Sequence, residues 1–356
     1  MKAVRFHGKH DLRIDDVDAP RNPGFGEVLV APTFCGICGS DLHEYDHGPT
    51  WTSSEPNPYS SASLPQILGH EFAARVVSVG DGVSTLVAGD RVSIQPQTGP
   101  RDDYFGRRNV PFLGPQASVI GLSWPWGGMA ELAIVNESNA VRLPEYITDQ
   151  QGALVEPAAV GVHAVDRSGV QPGGSLLVTG GGTIGAMAAL AGRAAGVARI
   201  FVSEPNANRR RRIEGLGIGA VVLDPAECDV GAFIRQATED GVGVDAAIEC
   251  SGNGRALNAC VDAVKPQGTI VQVGLMGGKV EVEPFRWTVK DITIKGSLNY
   301  PITIWPRIFE MMRSGLFPVE KVVDAEISMA DVKHDGFDAL LDKASAKLKI
   351  LVAMPR

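Results

Sequence analysis

The pattern of apolar and polar positions changes character near the middle of the chain. Up to about residue 155, short Val-rich runs alternate with turns rich in Gly, Pro and Asp, as in GEVLVAPTF (26–34), AARVVSVG (73–80) and DRVSIQP (90–96). Such spacing predicts a small β-barrel or sandwich. Two long stretches, 46–66 and 97–128, interrupt it and read as functional or mobile loops. From about 160, strand-like runs alternate with helical ones: SLLVTG (175–180), ARIFVSE (198–204), AVVL (220–223), VDAAIEC (244–250), TIVQVGL (269–275) and ITIKGS (292–297). This βαβ alternation predicts a parallel sheet covered on both faces, so the fold class is α/β. The tail from about 298 mixes helix and strand and ends in KLKILVAM, an alternation that predicts an edge strand.

Composition narrows the function classes. A length of 356 residues with 44% hydrophobic and 21% charged positions fits two globular domains rather than a disordered chain. Lys and Arg number 33 against 41 Asp and Glu, a net charge of −8, which disfavours nucleic acid and anionic membranes as partners. No apolar run approaches the ~20 residues of a membrane span, and the charged opening MKAVRFHGKHDLRIDD lacks the core of a signal peptide. Five cysteines, an odd number, do not make a disulfide framework. The expectation is a soluble cytoplasmic protein.

The strongest motif is Gly180-Gly181-Gly182-Thr183-Ile184-Gly185, a G-x-G-x-x-G between the strand SLLVT and the helix AMAALAG. In that context Gly180 permits a tight turn, Gly182 lets the backbone approach a pyrophosphate, and Gly185 lets helix and strand pack closely. The second strand ends at Glu204, placed to accept bonds from ribose hydroxyls. Four arginines, Arg209 to Arg212, read either as a solvated helix turn or as a clamp on a 2′-phosphate. A carboxylate at Glu204 repels that phosphate, so the expected cofactor is NAD.

Cys35-Gly36-Ile37-Cys38 has C-x-x-C spacing, but there is no second pair for a zinc ribbon and no thioredoxin-like βαβ around it. Further on stand His70, Glu71 and Glu156. A thiolate, an imidazole and a carboxylate from distant segments suit a three-ligand zinc site with one open position.

The segments GICGSDLHEY, LGHEFAARVVSVG, WGGMAEL (126–132) and LVEPAAVGVHAV occur in this order, with the glycine motif after them. Together they resemble the zinc-dependent medium-chain alcohol dehydrogenases, over essentially the whole chain. Within that family the chain is similar to the polyol branch, and there to the butanediol dehydrogenases. The resemblance implies a GroES-like catalytic domain, residues 1–160 completed by 298–356, and a doubly wound Rossmann domain, 161–297. Carried over residue by residue, it implies that Cys38 and His70 bind zinc. Glu71 and Glu156 are the carboxylates that bind it directly or through water, and which is inner-sphere stays open. Cys35 is not implied as a ligand. Ser40 is the hydroxyl beside the substrate oxygen. His43 passes the proton to solvent, with an exposed loop residue as the alternative reading. Ile184, Glu204 and Arg209 contact the dinucleotide, with Val273, Leu275, Ser297 and Asn299 near the nicotinamide.

One departure stands out. Many relatives hold a second, structural zinc with four cysteines in the lobe after DRV, where this chain has QPQTGPRDDYFGRRNVPFLGP and no cysteine. One catalytic zinc per chain is therefore expected, with Cys228, Cys250 and Cys260 buried or incidental. The expected reaction is reversible oxidation of a secondary alcohol with NAD, on a vicinal diol or acyloin such as 2,3-butanediol or acetoin. Sorbitol- or xylitol-type activity is the alternative, and a non-catalytic nicotinamide-binding sensor is a third reading. Trp51, Tyr59, Trp124 and Trp126 are candidates to line the substrate site. The resemblance also implies a homo-dimer or homo-tetramer built through the sheet edge near 279–296.

Overall fold

The computed structural model describes residues 1–355 apart from 302, 343 and 345–346. Its contacts divide the chain into two compact units. The first comprises residues 1–156, 301–305 and 323–356, and the second 157–300 and 306–322.

In the first unit the alternating runs form two sheets. A hairpin, Lys2–Gly8 with Asp11–Asp16, pairs with the short strand Gln66–Ile67. The main sheet has the order Ala140–Arg142, Arg91–Ile94, Glu71–Val79, Glu27–Gly36, Lys349–Ala353, Val323–Ser328, and Ala133–Asn136 also pairs with Glu27–Gly36. Its core packs Val28, Val30, Phe72, Val92, Ile94, Ile350 and Val352, all without solvent exposure. Truncating a buried ring such as Phe72 costs about 3–5 kcal/mol. The register sets Glu71 opposite Gly36 on one side and Leu351 opposite Gly36 on the other, which places the site residues described below.

The predicted edge strand KLKILVAM is corrected here. Lys349–Ala353 lies inside the sheet, parallel to Val323–Ser328 and antiparallel to Glu27–Gly36. Lys349 looks like a solvent-facing position in sequence, yet it is buried and paired with Glu71, so the strand is buried on both faces. The 97–128 lobe is also more ordered than a loop. Gln97–Thr98 pairs with Ser118–Val119, and short helical turns occupy Gly106–Arg108 and Pro111–Leu113.

The second unit is a six-stranded parallel sheet in the order Val221–Leu223, Arg199–Ser203, Ser175–Thr179, Val244–Glu249, Val264–Gln272, Thr293–Gly296. The order reverses between Ser175–Thr179 and Val244–Glu249, the kind of point where doubly wound sheets bind ligands. Leu177, Phe201, Ile234, Ala247 and Ile270 form its core with the helices Val230–Ala237 and Gly254–Ala263. Residues 306–322, within the tail that the sequence reading gave to the first domain, group with this unit instead. Arg307 pairs there with Asp166, and Lys321 donates to the Leu216 carbonyl at 3.0 Å.

Candidate active site

The helix Gly39–His47 begins directly after the strand Glu27–Gly36, and Cys38 is its N-cap. The buried Asp41 accepts from the Cys38 N–H at 2.9 Å, which fixes the turn. His70 follows Gly69, whose φ is +98°. A Cβ on Gly69 would lie 2.6 Å from Cys35 Sγ, so the approach of the two segments requires glycine.

These elements bring Cys38, His70 and Glu71 together. One ligand atom from each lies within 4.8 Å of the other two, the one such group among the described residues. Ser40 Oγ lies 3.2 Å from His70 Nε2, and Asp41 Oδ1 lies 3.4 Å from His70 Nδ1. Burial pulls the His70 pKa down, but Asp41 and Cys38 outweigh it and hold it well above the usual histidine value. Asp41 Oδ1 and His70 Nδ1 are both buried and form an ion pair without hydrogen-bond geometry. A soft thiolate, an imidazole and a carboxylate converging within 4.8 Å fit a zinc ion.

Glu156 is also buried, and its charge acts on Lys349, but it is not in that three-atom group. Cys35 is fully buried, and burial first, then Asp41 and Glu71, push its thiol far up, so it stays protonated. His43 is exposed, with its ring 5.1 Å from that of His47. Trp51 lines one cavity of about 270 Å³, and Tyr59, Trp124 and Trp126 line another of about 390 Å³. Neither cavity has Cys38, His70 or Glu71 among its lining residues.

Sequence reasoning missed three buried charges. Lys349 donates to Glu71 Oε1 at 2.9 Å, Glu71 Oε2 at 2.6 Å and the Ile37 carbonyl at 2.8 Å. Burial lowers its pKa, but Glu71, Cys38 and Glu156 outweigh this and raise it. Glu44 accepts from the Thr50, Trp51 and Thr52 amides and the Thr52 hydroxyl. In the second unit Glu249 accepts from the Ser251 and Gly252 amides and from Gln272 Nε2. The one available signal was an ionisable residue within an otherwise apolar run, as in KLKILVAM and VDAAIEC.

The glycine motif forms an open backbone turn ahead of a helix. Gly180 has φ +91°, and a Cβ on Gly185 would overlap the Gly180 carbonyl. Gly182 is the N-cap of the helix Thr183–Ala194 and has open space where a Cβ would stand. Ile184 is half-buried in the first turn. Glu204 turns back on the motif, accepting from the Gly181 N–H at 2.6 Å and the Asn206 N–H at 2.7 Å. Arg210 is engaged by Asp224 at 2.8 Å, whereas Arg209 Nε is buried without a partner. Ser297 Oγ is likewise buried and unpartnered, Val273 donates its N–H to the Glu249 carbonyl, Leu275 is exposed and Asn299 has φ +55°. Orphaned polar atoms at Arg209 and Ser297 and an open glycine turn fit a nicotinamide dinucleotide.

A Rossmann sheet with this fingerprint and a β-rich unit with this metal cluster define a zinc-binding oxidoreductase, and the chain belongs to the zinc-dependent medium-chain alcohol dehydrogenases, which act on CH–OH groups with zinc and a nicotinamide cofactor. The alcohol dehydrogenase GroES-like domain matches residues 24–145, and the zinc-binding dehydrogenase domain matches 183–314. The chain is 36% identical over 354 residues to the (R,R)-butanediol dehydrogenase of Bacillus subtilis, covering 99% of each chain. It is 30% identical over 329 residues to human sorbitol dehydrogenase, covering 90% of each. The crystal structure of 2R,3R-butanediol dehydrogenase from Bacillus subtilis superposes with a TM-score of 0.92 at 35% identity, over 100% of this chain and 99% of that one. No helix among the described residues is long and apolar enough to cross a membrane.

Proposed function

We propose that the protein oxidises a vicinal diol, such as 2,3-butanediol, to the corresponding acyloin with NAD, and runs the reverse reduction. The observation that carries the chemistry is the convergence of Cys38, His70 and Glu71 within 4.8 Å. The substrate class rests on the end-to-end likeness to a butanediol dehydrogenase at 36% identity. Likeness to sorbitol dehydrogenase at 30% keeps a polyol as the second reading.

Cys38, His70 and one of Glu71 or Glu156 would hold a single zinc per chain, since the 97–128 lobe carries no cysteine for another. Zinc bound there supplies Lewis acidity, which makes loss of the alcohol proton feasible near neutral pH. Ser40, beside His70 Nε2, takes that proton. His43, three positions further on the same helix and exposed, passes it to solvent. A nicotinamide dinucleotide held at the Gly180–Gly185 turn would supply the hydride acceptor that oxidation of the carbinol to a ketone requires. Asp41 orients His70, and Lys349 orients Glu71.

The preference for NAD rests on Glu204 at the end of the second strand, where its charge disfavours a 2′-phosphate near Arg209. The strand Thr293–Gly296 is an open sheet edge with exposed Phe285, Val289 and Ile294 beside it, which supports a homo-dimer or tetramer through this edge. Five free thiols support residence in a reducing cytoplasm. The test is a substrate panel with both cofactors: fastest turnover on 2,3-butanediol with NAD supports the reading, and a clear preference for sorbitol, xylitol or NADP overturns the corresponding part.

A further inference from the structure

We propose that Lys349 is a positioning residue of the metal centre: from the last strand, its ammonium fixes the Glu71 carboxylate beside Cys38 and His70 and offsets its charge, and so sets the affinity of the site for its metal. The proposal rests on the reading of Cys38, His70 and Glu71 as a metal site.

The geometry is complete on the lysine side. An ammonium has three N–H donors, and three acceptors meet it: both Glu71 oxygens and the Ile37 carbonyl. The pair has side-chain exposures of 1% and 0%, so water does not share in its charge balance. The backbone is built around it. Ile37 donates its N–H to the Ile350 carbonyl, which pins the last strand to the residue before Cys38. A Cβ on Gly36 would overlap Glu71 Oε2, so the strand gives up a side chain where the carboxylate lies.

The consequence has a definite sign. Without metal, Lys349 is the counter-charge of a fully buried carboxylate, and removing one partner of such a pair leaves an uncompensated charge. A divalent cation compensates that charge. Loss of the ammonium therefore destabilises the metal-free protein more than the metal-bound one, and by linkage raises metal affinity. A lysine that only braced the sheet would act the other way, because its removal would loosen the site and weaken binding.

The experiment measures Zn²⁺ affinity by chelator competition, and the rise in melting temperature on adding Zn²⁺, for the full chain and its variants at one pH. Lys349→Met should bind Zn²⁺ at least about tenfold more tightly than wild type, about 1.4 kcal/mol, with a larger metal-induced rise. Lys349→Arg should stay within about threefold of wild type. The charge-neutral double variant Glu71→Gln/Lys349→Met should fall back by at least about tenfold from the single variant. Unchanged or weaker binding in a folded Lys349→Met overturns the proposal. Should that variant fold only with metal, the double variant decides: folding without metal supports the charge-balance account, and failure to fold overturns it. Cys38→Ser separates the two levels. If it binds Zn²⁺ as wild type does, the metal-site reading itself fails.

Discussion

Glu44→Ala is the perturbation whose local effect can be worked out most fully. The Glu44 carboxylate is fully buried at the end of the helix that begins with Cys38, and it gathers the start of the 46–66 segment. It accepts from Thr50 N–H at 3.0 Å, Trp51 N–H at 2.5 Å, Thr52 N–H at 3.3 Å and Thr52 Oγ1 at 2.6 Å. Hydrogen bonds to a charged group contribute about 1.5–3 kcal/mol each, and these four share one carboxylate, so they do not add fully. Water can reach Thr50 and Trp51 more easily than Thr52, which is buried. A loss of about 3 kcal/mol, confined to this segment, is the expected result. That corresponds to about a hundredfold faster amide exchange at Thr50, Trp51 and Thr52, measured by hydrogen–deuterium exchange. Exchange in the parallel sheet, for example at Leu177 and Val178, should not change. Glu44→Gln keeps one acceptor oxygen and should fall between the two. Unaltered exchange at residues 50–52 in a folded Glu44→Ala protein would refute the view that this carboxylate anchors the loop.

Cys38→Ser should lose bound zinc and at least about a thousandfold in kcat/KM, about 4 kcal/mol, while NADH binding measured by fluorescence stays close to wild type. Gly69→Ala should be destabilised by more than about 2 kcal/mol in chemical denaturation, because φ is +98° and the new methyl meets Cys35 and Met129. Lys290 is pushed down to about 8, by burial first and then by Arg235 and Arg286, against an ordinary value of 10.5. The unfolded chain therefore binds more protons between these values, so stability should rise from pH 8 towards 10.5, and Lys290→Met should flatten that rise in a pH series of melts.

The second unit was the more legible half. Its strands are short β-branched runs bounded by turns, and SLLVT followed by glycines and a small-residue helix admits few other arrangements. The metal cluster was legible only as scattered residues, since Cys38 and His70 meet through sheet register that no local pattern encodes. What stayed hidden were the buried charges that hold these residues in place. Asp41 and Glu44 sit in a helix whose polar residues look like a solvated face. Lys349 finds Glu71 from 278 residues away, and its alternating neighbours pointed to an exposed edge rather than an interior strand. Glu204 directly follows the strand Arg199–Ser203, but its bonds to Gly181 and Asn206 depend on a side-chain turn that spacing does not specify.

The most direct measurement is kcat/KM for NAD reduction by 2,3-butanediol against 2-butanol, on protein whose zinc content has been determined. With about one zinc per chain, the diol should exceed the mono-alcohol by about tenfold or more, because a site that bonds the second hydroxyl is penalised when it is missing. Equal rates on the two alcohols, or turnover that survives complete removal of zinc, would contradict the account.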